Sequence, residues 1–499
     1  MRPVVALARD PAATYPLRTP FDPHVKYPEM ASTTWAAHTA DEPNAPYALV
    51  RECLRHLGLD AERFGTPTWN PLQTIVSQGS RVVIKPNFVL HERGAQRGRH
   101  CLVTHASVLR AVIDYVLLAG GRSCRIAIVD APLQQAEFDA LLRDSGMNEV
   151  IAHYRANAGI EIETIDLRRT RVAVDEHRVI RSQHSLPGDP RGYAIVRLNR
   201  SSALEPITRE DTRFAVTDYD KSEMTKHHGR GRHEYLISRS VLEADTFINV
   251  PKLKTHQKVG VTLALKNLVG INGSKDWLPH YRPGAPASGG DEFPSRNVVS
   301  SLHSRVRAAL QGRSPRAMRT AQAIWHAYRR WLEPERAPGD QETGNRTLSG
   351  AWYGNDTTWR MVLDLNRALF HASPDGSMEA RRTFRYLALI DGIVGGDGDG
   401  PLSPHPRHAG LIAASSDPVA LDRVCAAIMG FDPDRMPMLR EALRSSPFPI
   451  TTLDGAQGPE VRAGSGDWSE WNLGFRPAPG WTGQVERPAT DTVGARAAR

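Results

Sequence analysis

The sequence predicts an α/β protein. It should have a largely parallel sheet flanked by helices, two lobes, a site at the C-terminal ends of the strands, and a helical insertion. Three observations predict it. From residue 79 onward, short β-branched runs alternate with helical patterns. Five of those runs stay apolar until their ends and then deliver Lys, Asn or Asp. The chain is long, at 499 residues with 40% hydrophobic and 24% charged content, which suits a large core in more than one lobe.

The elements follow in order. Residues 1–78, rich in Pro, Thr and Asn, form an N-terminal extension expected to pack on the core, with one helical stretch at Tyr47–Leu57. RVVIKPN (81–87) is a strand ending in Lys85-Pro86-Asn87, and RIAIVDAP (125–132) is a strand ending at Asp130. His105–Leu118 is a helix by the spacing of Val108, Val112 and Val116, stopped by Gly120-Gly121. DTFINVPKLKTH (245–256) is a strand running into a Lys-rich segment. FRYLALIDG (384–392) ends at Asp391 and AGLIAASSDP (409–418) at Asp417. Asp417-Pro418 has the N-cap and N1 pattern of a helix start, so Asp417 also reads as a simple cap. The α/β core spans 79–475 in two lobes, interrupted by an insertion at 276–350 with a basic amphipathic helix over 303–332. That helix reads as a lid or packing helix, and its basic face also fits a membrane surface. Residues 476–499, rich in Pro, Gly, Ala and Arg, are expected to be a disordered tail.

Composition narrows the function classes. A net charge of +8 favours anionic partners. No nucleic-acid motif or long basic run accompanies it, so nucleic acid is not the expected partner. Cys53, Cys101, Cys124 and Cys425 are scattered without a CxxC pair, which argues against a disulfide framework, structural zinc or an iron–sulfur cluster. The N-terminus lacks the apolar core of a signal peptide, and no run of about 18 apolar residues spans a membrane. The expected location is the cytoplasm. The sequence does not reveal the oligomeric state.

Lysine marks the place to look for chemistry. Of 63 basic residues nine are Lys, and seven of the nine fall between 221 and 275. Arg serves elsewhere, yet only Lys has an ammonium that loses its proton readily when buried and then acts as base or nucleophile. The segment PKLKTHQKVGVTLALKNLVGING (251–273) carries Lys252, Lys254, His256, Lys258, Lys266 and Asn267, with Gly260, Gly270 and Gly273 allowing close approach of a ligand. Clustered ammonium groups depress one another's pKa or clamp an anion. Either use implies a small anionic molecule.

Other groups join this segment. Lys85, Asn87 and His105 stand at or beyond a strand end and are expected to bind substrate with Asn267 and Gly270. In DGIVGGDGDGPL (391–402), Asp391, Asp397 and Asp399 sit among five glycines. They read either as oxygen ligands for a divalent ion or as polar residues of a glycine-rich loop. His227, His228, His233 and Glu234 upstream, with His280 downstream, read as loop histidines or transition-metal ligands.

With VVIKPN (82–87), Thr104-His105, INVPKLKTH, LKNLVG, LIDGIVGGDGDGP and SDPVALDRV in hand, the chain resembles the family catalogued as domain of unknown function 362 over roughly 79–435. Some relatives carry a ferredoxin-like cluster domain whose cysteines are missing here. The layout around His256, Gly260 and Lys266 is also similar to the central segment of nickel-dependent lactate racemases. That similarity implies an acid/base role for His256, a nucleotide cofactor tethered at Lys266 and nickel near His280. Ala264-Leu265-Lys266 departs from the Gly-Gly-Lys context, and Lys252 and Lys254 have no counterpart, so a shared scaffold is implied rather than a shared cofactor.

The resulting expectation is an enzyme acting on an organic acid or phosphorylated metabolite. His256 serves as acid/base, Lys252, Lys254 and Lys85 bind the anion or tune its pKa, and Lys266 is a second base or tether. Proton transfer at carbon, as in an isomerase or epimerase, is the favoured class. Mg²⁺-dependent group transfer through Asp391, Asp397 and Asp399 is the alternative. A non-catalytic ligand-binding or scaffold protein on the same fold is a third reading.

Overall fold

A computed structural model describes residues 2–36, 38–91, 98–174, 180–216, 221–295, 349–380, 383–453, 457–464 and 466–488. The strands are β1 Val4–Arg9, β2 Arg81–Pro86, β3 Arg125–Asp130, β4 Ile162–Asp166, β5 Thr170–Val174, β6 Ile180–Ser185, β7 Tyr193–Arg197, β8 His228–Gly229, β9 Arg232–Ser238, β10 Thr246–Val250, β11 Lys252–His256, β12 Gly260–Val261, β13 Arg385–Asp397, β14 His405–Ser415 and β15 Glu460–Ala463. Among the described residues one ten-stranded sheet has the order β15-β1-β14-β13-β10-β2-β3-β4, with β11 and β12 attached beside the far half of β13. Its pairs are parallel except β1–β14, β13–β14 and β11–β12. The predicted α/β class and largely parallel sheet are therefore present.

Each face of the sheet carries its own core, because successive strand residues point to opposite sides. Val82, Ile84, Leu387 and Leu389 pack against one set of helices, α1 Ala45–His56 and α2 Ala106–Gly120. Val83, Ala388 and Ile390 pack on the other side. The helices there are α3 Leu263–Asn267, α4 Thr358–His371 and α5 Pro418–Met429. The expected helix boundaries hold closely: the imidazole of His105 caps α2, Gly121 follows it, and Asp417 caps α5 through Val419 N and Ala420 N.

Four expectations need correction. The N-terminal extension does more than pack on the core, since it supplies a strand of the main sheet, β1, paired on both sides. β14 runs antiparallel to β13, so Asp417 lies at the opposite end of the sheet from the other strand ends. The glycine-rich segment after Asp391 is strand up to Asp397 rather than loop, because its glycines are covered closely. A Cβ at Gly395 would lie 2.7 Å from the Phe475 ring, and one at Gly392 would lie 2.8 Å from Leu411 O. Finally, residues 476–488 are packed rather than a disordered tail: Ala478, Trp481 and Val485 are buried, and Trp481 Nε1 donates to Gln257 O at 2.7 Å. The expected helix at 303–332 and the end of the chain beyond 488 lie outside the described residues.

Candidate functional site

The site is built where β2, β3, β11 and β13 end. Pro251 interrupts the long predicted strand, so β10 pairs with β2 and the first half of β13. β11 then continues beside the second half, with Lys252 opposite Asp391 and Lys254 opposite Gly396. A turn at Gln257–Val259 folds the chain back into β12, Gly260 taking φ +84° under the Trp481 ring. The chain then enters α3.

Helix α3 is one and a half turns long and buried apart from Lys266, so neighbouring side chains must satisfy its ends. Asp422 accepts from Ala264 N (2.7 Å) and Leu265 N (2.9 Å). Asn249 donates to Ala264 O and Asn366 to Leu265 O, at 2.9 and 3.0 Å. Leu263, at the start, is held at φ +44°, a left-handed conformation that costs a β-carbon residue roughly 1 kcal/mol or more. These restraints fix the direction in which Lys266 leaves the helix.

Lys266 stands apart from the other lysines. Its ammonium has no hydrogen-bond or ion-pair partner among the described residues, and the side chain is half-buried. Dense surroundings and the Lys85 charge bring its amine down to about 8. Lys254 is fully buried, donates to Leu102 O at 2.6 Å, and is brought down to about 7, chiefly by burial. Lys258 donates to Ser349 O and lies 5.3 Å from the Tyr281 ring. Lys275 donates to Val269 O at 3.2 Å and is also brought to about 7 by burial.

Two imidazoles complete this group, with opposite polarity. His256 Nδ1 accepts from Lys258 N at 3.0 Å, which leaves the ring proton on Nε2. His280 Nδ1 lies 2.7 Å from Leu278 O, so that nitrogen carries the proton and Nε2 keeps its lone pair. The backbone of His280 is pinned by Ala215 and by Asn355 and Thr358 at the start of α4. Burial holds both rings well below the ordinary histidine pKa. The Lys266 charge acts on both, with Lys254, Lys258 and His280 also acting on His256. Both are therefore neutral: His256 presents a donor, His280 an acceptor.

Beneath this lies a floor of buried pairs. Lys85 and Asp130, at the ends of adjacent strands, are 2.8 Å apart. Burial pulls the Lys85 amine down and pushes the Asp130 carboxyl up, each opposed by the other's charge. Gly270 covers the pair so tightly that a Cβ would overlap Asp130 Oδ1 and Lys85 Nζ. Gly270 thus serves packing, and Lys85 is committed to Asp130, so neither is placed to bind substrate as expected. Asn87 Nδ2 donates to Asn267 Oδ1 (2.9 Å), and Asn267 Nδ2 to Asn249 Oδ1 (2.8 Å). Asn87 Oδ1 and Thr262 Oγ1 are buried without a partner among the described residues, which is costly unless a ligand or water meets them.

Lys252 also stands apart from the Lys266, His256 and His280 group. It pairs with Asp391 at 2.9 Å, both side chains sealed from solvent. Tyr15 OH donates to Asp391 Oδ1 at 2.5 Å and His105 N to Oδ2 at 3.0 Å. The Tyr15 ring stacks on His105 at 4.1 Å, and burial beside Asp391 keeps its phenol protonated. His105 is a helix cap in this latch. Tyr15, 376 residues from Asp391 in sequence, carries no local signal that marks it.

The expected carboxylate metal site is not assembled. Asp391 is saturated by Lys252, Tyr15 and His105 N, and Asp397 is held by Arg476 at 2.8 Å. Among the described residues no three His, Cys, Asp or Glu side chains are grouped to hold a metal ion. The nickel centre implied by the lactate-racemase likeness therefore does not fit these residues, and no step is routed through a tethered cofactor. The upstream histidines are spent on structure. His228 Nε2 lies 2.8 Å from Trp277 O, His233 Nε2 lies 3.2 Å from Glu205, and His227 pairs with Glu234 at 2.9 Å. Cys53, Cys101, Cys124 and Cys425 are buried thiols.

No helix among the described residues is long and apolar enough to cross a membrane. The chain is 24% identical over 238 residues to the thylakoid-associated protein sll1697 of Synechocystis sp., a match covering 45% of this chain and 49% of that protein. The chain thus spans about half the length of the curated relative it matches. No solved structure matches it at a significant level. The model of the domain of unknown function DUF362 matches residues 82–189 and 194–427, most of the chain, and the protein belongs to that family.

Proposed function

We propose that the protein is an enzyme that moves a proton at carbon in a small organic acid, using Lys266, His256 and His280. One observation carries this reading. A half-buried amine without a partner among the described residues stands near neutral imidazoles of opposite hydrogen-bonding polarity, on a helix held at both ends. A structural lysine would be paired, as Lys85 and Lys252 are.

The roles follow from the tautomers. His256 Nε2–H polarises a substrate oxygen, which a neutral imidazole does without losing its own proton. Lys266 as free amine, or the His280 Nε2 lone pair, removes the proton from carbon. A base near 8 has a substantial neutral fraction at working pH and keeps strong proton affinity. Lys258 supplies the positive potential that draws a carboxylate or phosphate. Asn87 Oδ1 and Thr262 Oγ1 are unfilled polar positions for a substrate hydroxyl or water. Neither nucleic acid nor a resident divalent ion is part of this account, and the buried free thiols suit the reducing cytoplasm.

The test is deuterium exchange at carbon. Full-length protein is incubated in D₂O with a panel of 2-hydroxy and 2-oxo acids and their phosphorylated forms. Wild type is expected to wash deuterium into one of them, with a loss of at least a hundredfold in His256→Gln and Lys266→Met. Exchange that persists at wild-type rate in both variants would overturn the assignment.

A further inference from the structure

We infer that Lys266 is a covalent carbonyl-capture site: its amine condenses with the carbonyl carbon of a 2-oxo acid to form an imine. The inference rests on the acid–base reading of the same site and names its substrate class.

The geometry supplies what condensation needs. A nucleophilic amine must be unpaired and aimed, and Lys266 Nζ makes no hydrogen bond or ion pair among the described residues while α3 fixes its base. The other buried amines are engaged: Lys85 by Asp130, Lys252 by Asp391 and Tyr15, Lys254 by Leu102 O, Lys275 by Val269 O. The electrophile must be polarised, and His256 Nε2–H is the donor for its oxygen. Protons must be carried from nitrogen to oxygen, and His280 Nε2 is the acceptor that does so. The acid's carboxylate is met by the Lys258 charge.

The step balances without an external reagent. The Lys266 lone pair forms the C–N bond as the carbonyl π electrons move to oxygen, against His256 Nε2–H. His280 takes each amine proton in turn and returns it to that oxygen. The C–O bond breaks, water leaves, and the nitrogen lone pair closes the C=N bond. Amine and carbonyl become imine and water. The imine then acidifies the adjacent C–H, which connects capture to proton transfer at carbon.

The experiment uses full-length protein with pyruvate and with glyoxylate at pH 8, reduced by sodium borohydride, digested and mapped by mass. The expected result is near-stoichiometric alkylation of Lys266, at least tenfold above Lys226, whose side chain is 62% exposed. In His280→Gln, trapping at Lys266 is expected to slow at least tenfold with an unchanged melting temperature. Absence of the adduct, or labelling of Lys226 to the same extent, would overturn the inference. Calorimetric titration with lactate, which carries a hydroxyl in place of the keto group, separates the two claims. Lactate binding without a pyruvate adduct refutes only the imine, whereas neither binding nor adduct refutes the acid–base site as well.

Discussion

Lys252 and Asp391 face each other across the β11–β13 pair at 2.9 Å with neither side chain exposed, and Tyr15 OH closes the triangle at 2.6 Å from Lys252 and 2.5 Å from Asp391. A buried pair of this kind does little for stability relative to an apolar replacement, but loss of one partner strands the other charge. This latch ties the N-terminal segment, β11 and β13 together.

Removing Lys252 alone should therefore be severe. Lys252→Met is expected to destabilise the protein by about 3–5 kcal/mol in chemical denaturation. The double variant Lys252→Met/Asp391→Leu should recover a substantial part of that loss. Additive losses would show that the pair is not coupled.

The buried lysines give stability a pH dependence with a definite sign. Lys254 and Lys275 are near 7 in the folded protein against an ordinary 10.5, because burial penalises the ammonium. Between those values the unfolded chain holds protons that the folded chain has released, so stability rises with pH. Their contribution is present in full above 10.5 and is lost as pH falls towards 7. The urea midpoint is expected to increase from pH 7 to 9.5. In Lys275→Met the rise should be smaller, because that lysine alone accounts for about 5 kcal/mol across the whole window. An identical slope in the variant would contradict the burial argument.

Gly270 tests the floor of the site. Ala at this position would drive its Cβ into the Lys85–Asp130 pair, so Gly270→Ala should cost about 3 kcal/mol or more of stability. Gly231→Ala is a fair reference: φ is +73° there, yet nothing lies within 4 Å of the added Cβ. The reference should cost only about 1 kcal/mol, from the left-handed backbone alone.

The C-terminal segment should matter for folding. Trp481 is 1% exposed and seals Gly260 and Gln257. Trp481→Ala is expected to cost about 3–5 kcal/mol, measured by thermal or chemical unfolding. A truncation after Arg476 should be at least as damaging. A truncated chain of wild-type stability would restore the view of this region as a tail.

Much of the fold was legible because local pattern carried it. Strands such as Arg81–Pro86 and Arg125–Asp130 alternate with capped helices, and the pattern of His105 or Asp417 before a helix needs no distant partner. The direction of β14 was not legible, since an apolar run reads the same whichever way it pairs. The glycines of β13 looked like a loop because the groups covering them, Leu411 O and Phe475, are distant or in a neighbouring strand. Within the candidate site, the lysine cluster pointed to segment 251–273, where the charges of Lys266, Lys254 and Lys258 act on His256. What composition does not encode is which charge is spent on which. Lys85 and Lys252 carry the same signal as Lys266, and Asp391 the same as a metal ligand, until their partners Asp130, Asp391 and Tyr15 are seen. The tautomer of His280, on which its proposed role rests, is fixed by the carbonyl of Leu278 and by nothing in the local sequence pattern.

The central claim is that Lys266 holds a free amine poised for proton transfer, and titrating that amine tests it most directly. Trace labelling with acetic anhydride from pH 6 to 11, read by mass on the peptide carrying Lys266, reports its neutral fraction. Half-maximal reactivity near 8 is the predicted result. A curve centred at the ordinary lysine value of 10.5 would contradict the account.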